Sequence, residues 1–286
     1  MVKIKLAFAV LVVIVVASLA FNGYQWSNSL TVSKPEDKEE MALLLINAGA
    51  SVNAELIRLD GVLLEACQKL SITGLTGVQA DKILSDLYTN NPSLIISAAT
   101  ADANDVILSV QSANHSDIIG QDISSQEQYL QMHKTMRPAL SNLIPLVEGS
   151  PGIVMVSPLF SQSGQFIGSL SIVIQPYQLI HPIVEGPITG TNYIVYALQT
   201  NGTLIYDEAN PIEQGKNIFT DSDYTEYAGL QSFIHQVTDT QSGYGTYAFF
   251  DDLNPSKPVV NKEGYWTTIG IYGTQWRLVI AHALTS

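Results

Sequence analysis

The sequence is poor in cysteine, in basic residues and in recognisable catalytic motifs. Cys67 is the one cysteine among 286 residues, which excludes a disulfide framework, a thiolate zinc site and an iron–sulfur cluster. Lysine and arginine number 13 against 26 aspartates and glutamates, so the formal net charge is −13. Such a chain lacks the basic surface that phosphate backbones require, and we expect no nucleic-acid partner.

Motifs for catalysis are also missing. The sequence has no HExxH, no GxSxG nucleophile elbow, no Walker loop and no GxGxxG after a strand. Its five histidines are scattered, with no two at a spacing that would place metal ligands on one helix face. We therefore predict no enzyme, no cofactor and no metal site. An exported hydrolase is the weakest alternative, because no nucleophile–base pair is present.

The chain begins with an apolar segment behind two lysines. Residues 6–21 are interrupted by one polar side chain, Ser18. With Ile4 included, the segment would form a helix of roughly 27 Å, just enough to cross the hydrocarbon core of a bilayer. We predict that residues 1–21 are a single-pass anchor in the cell membrane and that residues 22–286 are extracytoplasmic. A cleaved signal segment, which would give a secreted protein, is the alternative.

A long helix follows a short polar hinge. Apolar residues recur at spacings of three and four from Leu44 to Leu64, which predicts a helix over about 36–70. A second helix is predicted over 79–88. The segment 22–87 is thus interpreted as a hinge and stalk helices.

The remainder of the chain repeats one pattern. Each copy opens with two β-rich runs joined by a turn, which in the second copy is Asn201-Gly202. A glycine tetrad follows each pair of runs, beginning at Gly120 and at Gly215, which lie 95 residues apart. A helical segment and glycine-rich strands complete each copy. We infer that one fold is duplicated.

The order of these elements resembles the double Cache sensor domains of prokaryotic receptors, which carry two PAS-like units outside the membrane. The resemblance covers roughly residues 36–284. It depends on motifs that occur in the same order in both copies: Asp102-Ala103-Asn104, Ile119–Ile123, Tyr129 and Gly164–Gly168 in the first, and Thr200–Gly202, Gly215–Asn217, Gly243–Gly245 and Trp276–Leu278 in the second.

This resemblance implies an α+β fold, in which a long N-terminal helix packs on two tandem PAS-like units with antiparallel sheets. We assign residues 88–180 to a membrane-distal unit and residues 190–284 to a membrane-proximal unit. The link between them, around residues 176–190, contains prolines and glycines. The implied function is that of a sensor that binds a small solute.

Two features depart from the usual receptors of this family. Ten residues follow Trp276, rather than a further membrane helix and a cytoplasmic output region. We therefore expect a signalling or transport protein as partner. The arginine–aromatic–tyrosine–aspartate set of the amino-acid-binding members is not found in the first copy, which argues against an amino acid as ligand.

The basic residues predict a ligand site in the first unit. Between Lys82 and Lys216 the cations are Lys134 and Arg137, at the end of the helical segment that follows Gly120. A guanidinium holds a carboxylate through two parallel hydrogen bonds, so a small organic anion is the expected ligand. The resemblance also implies that this helix lines the pocket of the first unit.

Four side chains are predicted to contact this ligand. Tyr129, His133 and Arg137 are one helical turn apart and are expected to share one stripe of the helix, while Ser157 offers a hydroxyl from the strands behind it. The alternative for Arg137 is a solvated position near a helix C-terminus, where a cation is favoured.

The second unit is predicted to be mainly a structural spacer. Its closing strands carry three bulky residues that could fill a pocket from within, namely Trp266, Tyr272 and Trp276.

A pilin-like surface subunit is the alternative from another class of protein. A hydrophobic N-terminal helix that continues into a β-rich head fits this outline. However, the early glutamate and the processing glycine of pilins are missing, and the internal duplication would be unexplained.

The predicted topology is tested by protease added to intact cells. Since residues 22–286 are expected outside the membrane, the protease should degrade the chain while a cytoplasmic marker protein survives. Complete protection of the chain, with degradation restored on lysis, would contradict this topology.

Overall fold

The computed structural model describes residues 35–112, 118–146, 151–250 and 258–284. The predicted anchor and hinge, residues 1–34, lie outside the described residues. The helices are α1 (Pro35–Thr73), α2 (Val78–Thr89), α3 (Glu127–Thr135), α4 (Pro176–Ile188), α5 (Ser222–Thr225) and α6 (Ala228–Asp239). The strands are β1 (Ile95–Ala101), β2 (Ile107–Ser112), β3 (Ala139–Leu140), β4 (Ile144–Pro145), β5 (Pro151–Phe160), β6 (Phe166–Ile174), β7 (Ile194–Gln199), β8 (Leu204–Asp207), β9 (Gly243–Phe250), β10 (Val259–Ile269) and β11 (Trp276–Ala283).

The long helix α1 is the element on which both sheets pack. Its buried apolar residues recur at spacings of three, four and seven, so they form one stripe along the helix. The members of this stripe are Met41, Leu45, Val52, Leu56, Leu59, Leu63, Ala66 and Leu70. The stripe packs on β5 and β6 of the first sheet and on β10 and β11 of the second. The prediction of a long N-terminal helix packed on two antiparallel sheets is confirmed.

The exposed side of α1 carries charged pairs together with exposed apolar residues such as Ile46 and Ile57. Glu55 pairs with Arg58 and Glu65 with Lys69, each at 2.7 Å, on the exposed surface. Among the described residues, Asp37–Thr73 is the one helical stretch long and apolar enough to cross a membrane by length and composition. Because its apolar stripe already packs on two sheets, we interpret α1 as the core helix of the domain.

The two sheets have the same strand order. The first is β2-β1-β6-β5-β3, with β4 pairing to β5, and the second is β8-β7-β11-β10-β9. All pairs are antiparallel. Each sheet turns one face toward α1 and covers the other with its own helix, α3 in the first and α6 in the second.

Equivalent hydrogen bonds confirm that the two copies are one fold. The N–H of Gly120 donates to the carbonyl of Ile107 at 2.8 Å, and the N–H of Gly215 donates to the carbonyl of Leu204 at 2.9 Å. Both glycines have positive φ, 87° and 93°, which explains why the tetrads begin with this residue.

The link between the copies is a helix, α4, despite its prolines and glycines. Pro176 occupies its first turn, where the missing N–H costs nothing. Leu179, Ile180 and Val184 are buried, and α4 packs on α1 and β8. This burial outweighs the helix-breaking tendency of Pro182 and Pro187 inside α4.

The register of the first sheet requires a glycine in β6. Gly168 has φ of 144°, and a Cβ built on it would lie 2.1 Å from the carbonyl oxygen of Ala101. We expect Gly168→Ala to lower the free energy of unfolding by at least about 3 kcal/mol, because backbone must move. Gly164→Ala is the matched control: its φ of 81° is also positive, but the added Cβ meets nothing within 4 Å, so a cost of about 1 kcal/mol is expected. Equal losses in chemical denaturation would refute the packing argument.

Candidate functional site

Two of the four predicted site residues lie on α3 in the first unit, Tyr129 in the core and His133 half-buried. Tyr129 is 1% exposed and packs on α3's side of the sheet with Met132 and Val156. His133 Nε2 lies 2.7 Å from Asp105 Oδ2, and the imidazole contacts the edge of the Phe166 ring. Burial raises the pKa of Asp105, and the hydrogen bond to His133 offsets part of that rise.

The other two predicted residues lie elsewhere. Helix α3 ends at Thr135 and Met136 adopts a left-handed conformation, so Arg137 leaves the stripe of Tyr129 and is exposed. The prediction that Tyr129, His133 and Arg137 share one helical stripe was therefore wrong, because the helix ends two residues before Arg137.

Ser157 is also separated from Tyr129. Alternate residues of β5 face opposite sides of the sheet, and Ser157 faces α1 while Val156 faces α3. Its hydroxyl is hydrogen-bonded with the thiol of Cys67, and burial raises the pKa of that thiol to about 11. Cys67 is thus a buried core residue.

A cavity lies instead in the second unit, between the sheet and the helices that cover it. Its volume is about 70 Å³, enough for several water molecules or a small organic group. The lining residues come from β7, β8, the turn after β8, α5, α6 and β9: Tyr196, Leu204, Asp207, Asn210, Glu213, Ile218, Asp223, Tyr224, Leu230, Ile234, Tyr247, Phe249 and Phe250.

The expectation that large aromatic residues fill this unit was wrong for two of the three. Trp276 belongs to the cluster on the α1 face of the sheet, and Tyr272 packs against the same cluster. Only Trp266 faces α6, where it packs edge-on against Phe233. Side chains alternate along a strand, so the face that each aromatic residue covers depends on register.

Asp207, at the end of β8, is the buried carboxylate of this cavity. It is 4% exposed, and its Oδ1 accepts hydrogen bonds from the N–H groups of Ala209 at 2.9 Å and Asn210 at 3.0 Å. Among the described residues, no hydrogen-bond donor reaches its Oδ2. Burial raises the pKa of Asp207 from 3.8 to about 6, and the two backbone hydrogen bonds offset part of that rise.

Glu213 forms a second carboxylate site at the edge of the cavity. The hydroxyl of Tyr224 donates a short hydrogen bond to it, and Asn210 Nδ2 donates another at 3.0 Å. Lys216 Nζ lies 2.9 Å from Glu213 and 2.6 Å from Asp223, and these hydrogen bonds raise the pKa of Lys216. Glu213 and Asp223 are thus paired with a cation.

The hydroxyls of Tyr196 on β7 and Tyr247 on β9 both face the cavity, and strands β11 and β10 lie between them in the sheet. Each hydroxyl is close enough to affect the pKa of the other, but the two are not hydrogen-bonded, and both are buried. On the two intervening strands, Gly264 and Ala281 face the same side, and the Phe233 ring packs over Gly264. Burial raises the pKa of both tyrosines.

Comparison with known proteins assigns this fold. Residues 54–176 match the model of the HK/GC/Chemotaxis protein-like sensor domain. An extracellular ligand-binding receptor from Desulfohalobium retbaense is 32% identical over 88% of this chain, with a TM-score of 0.71. The described region has the fold of a double Cache sensor domain. The chain spans 41% of the length of the Desulfohalobium receptor.

More distant structures share the fold of this sensor domain. The periplasmic sensory domain of the Campylobacter jejuni chemoreceptor Tlp1 has a TM-score of 0.62 at 10% identity, covering 87% of this chain and 95% of its own. The ligand-binding domain of the Pseudomonas aeruginosa chemoreceptor PctB, solved with L-Gln, has a TM-score of 0.58 at 11% identity, covering 88% and 91%. A search of curated protein sequences found no match.

Sequence reasoning missed the cavity because its polar residues are spread over four elements. The usable signal was Tyr206-Asp207 at the end of a predicted hairpin, followed by acidic residues and Lys216. Nothing in that spacing indicates that Tyr247, forty residues further on, faces the same space.

Asp207 generates a pH prediction. Its raised pKa means that the folded chain keeps a proton that the unfolded chain loses between about pH 4 and pH 6, so this residue lowers stability as the pH rises through that window. Asp207→Asn should therefore gain roughly 1–3 kcal/mol of unfolding free energy, relative to the wild type, between pH 4 and pH 7. Urea unfolding at both pH values measures this, with Glu226→Gln, an exposed carboxylate, as control. A constant difference between wild type and Asp207→Asn would contradict the prediction.

Proposed function

We propose that this chain is the membrane-anchored, extracytoplasmic sensor of a signalling system, in which a bound small molecule alters the activity of a partner protein. The observation that carries this proposal is the cavity of the second unit, which has buried polar groups facing it in a sensor fold. The match of residues 54–176 to a sensor-domain model and the likeness to an extracellular ligand-binding receptor support it.

The division of labour between the units is part of the proposal. We take residues 88–180 as the membrane-distal unit and residues 190–284 as the membrane-proximal one. The apolar segment 1–21 would hold the chain at the membrane, and a separate signalling or transport protein would receive the signal. Tyr129, His133, Arg137 and Ser157 stay a proposed second location for a ligand, although the structure does not gather them.

The pilin-like alternative is not favoured. Two sheets with identical strand order, both packed on one helix, match a sensor domain, and a structural subunit offers no reason for this duplication.

Ligand binding is tested by thermal unfolding of the full chain, purified in detergent, with carboxylates, amines, sugars and purines. A ligand present at 100 times its Kd should add about 2.7 kcal/mol of stability, since it binds only the folded state. For a chain of this size that corresponds to a rise in Tm of about 5–10 °C. If no compound of any class raises the Tm, the proposed function is wrong.

Two variants then locate the ligand. Asp207→Asn alters the cavity of the second unit, and Arg137→Ala alters the proposed location in the first. Loss of the Tm shift in Arg137→Ala alone would move the site to the first unit. An unchanged shift in both variants would mean that neither location is correct.

A further inference from the structure

The charges that line the cavity of the second unit are mostly negative. Three carboxylates, those of Asp207, Glu213 and Asp223, line it, and Lys216 pairs with the latter two. Lys262, on β10, is 2% exposed, and its charge acts on Asp207. The three carboxylates outnumber these two lysines, so a net negative charge remains at the cavity.

The free polar atoms of the cavity are acceptors or can act as acceptors. Oδ2 of Asp207 has no hydrogen-bond donor among the described residues. The hydroxyls of Tyr196 and Tyr247 are more than nine-tenths buried without a hydrogen-bond partner in that part of the chain. Buried polar atoms are nearly always satisfied in folded proteins, so the two tyrosine hydroxyls indicate that a ligand completes them.

The rest of the wall is aromatic. The rings of Tyr196, Tyr224, Tyr247 and Phe249 line the cavity together with aliphatic side chains. An organic cation is attracted to the faces of such rings, and the attraction is stronger where water is excluded. The carboxylates would repel an anion, and the few polar atoms offer little to a sugar.

We propose that this cavity binds a small organic cation, with its ammonium group at Asp207 and its carbon atoms against the tyrosine rings. This inference rests on the proposed sensor function and names the ligand class and the unit that holds it. A bare metal ion fits less well, because among the described residues no group of three or more His, Cys, Asp or Glu side chains could hold one.

The test is titration calorimetry on the full chain in detergent with choline and ethanolamine. Each cation is paired with an uncharged molecule of similar shape, 3,3-dimethylbutan-1-ol for choline and propan-1-ol for ethanolamine. At least one cation should bind at least tenfold more tightly than its uncharged counterpart. This comparison needs no mutation, so it holds even if a variant fails to fold.

Variants then place the cation. Asp207→Asn should weaken binding of the cation at least tenfold, and Tyr247→Phe should change the affinity less because the ring is kept. Glu263→Gln is the matched control: Glu263 is also buried in the second sheet, but it faces Lys38 and His282 on the α1 side. Its affinity for the cation should equal that of the wild type.

The outcomes separate this inference from the proposed function. If neither cation binds better than its uncharged counterpart, while a carboxylate, sugar or purine raises the Tm, the ligand class is wrong and the sensor function stands. If a cation binds but Asp207→Asn leaves its affinity unchanged, the site is wrong. If no compound of any class binds, both proposals fail.

Discussion

The structure depends on one hydrophobic contact surface, the buried stripe of α1. Burying a leucine contributes about 1.5–3 kcal/mol, and this stripe contains five, each with no more than 4% of its surface exposed. The helix covers β5 and β6 of the first sheet and β10 and β11 of the second, while α2 packs on β1 and β2 and α4 packs on β8. Both sheets therefore meet on the same helix. The relative position of the two sheets is therefore set by the spacing of apolar residues along α1.

This arrangement leaves each sheet one face for function. The α1 face is filled mainly with apolar residues and holds a cavity of about 10 Å³ between α1, α4 and the second sheet, while the cavity of about 70 Å³ lies on the face that α6 covers. In the first unit that space is occupied by Tyr129, Met132 and the hydrogen-bonded side chains of Asp105 and His133. In the second unit Phe233 packs over Gly264, and the cavity lies among residues of β7, β8, β9, α5 and α6.

The second sheet also ties the two ends of the described chain together. The carboxylate of Glu263 on β10 is 1% exposed and accepts hydrogen bonds from Tyr244 at 2.8 Å, while His282 on the last strand lies 2.8 Å away and Lys38 near the start of α1 at 3.5 Å. The cavity and this cluster lie on opposite faces of one sheet. A ligand that changed the curvature of the sheet would act on both ends of the described chain at once.

Patterns that depend on neighbours in sequence were sufficient to predict the helices, the hairpins and the duplication. The periodicity of α1, the turn at Asn201-Gly202 and the 95-residue offset of Gly120 and Gly215 are local signals, and the structure bears them out. Side-chain placement was different. Arg137 left the stripe because α3 ends at Thr135, and Ser157 faced away because register decides which residues of β5 point to α1. The cavity of Asp207, Tyr196 and Tyr247 arises only when β7, β8 and β9 come together across a sheet, since pairing between distant strands carries no signal in any one segment.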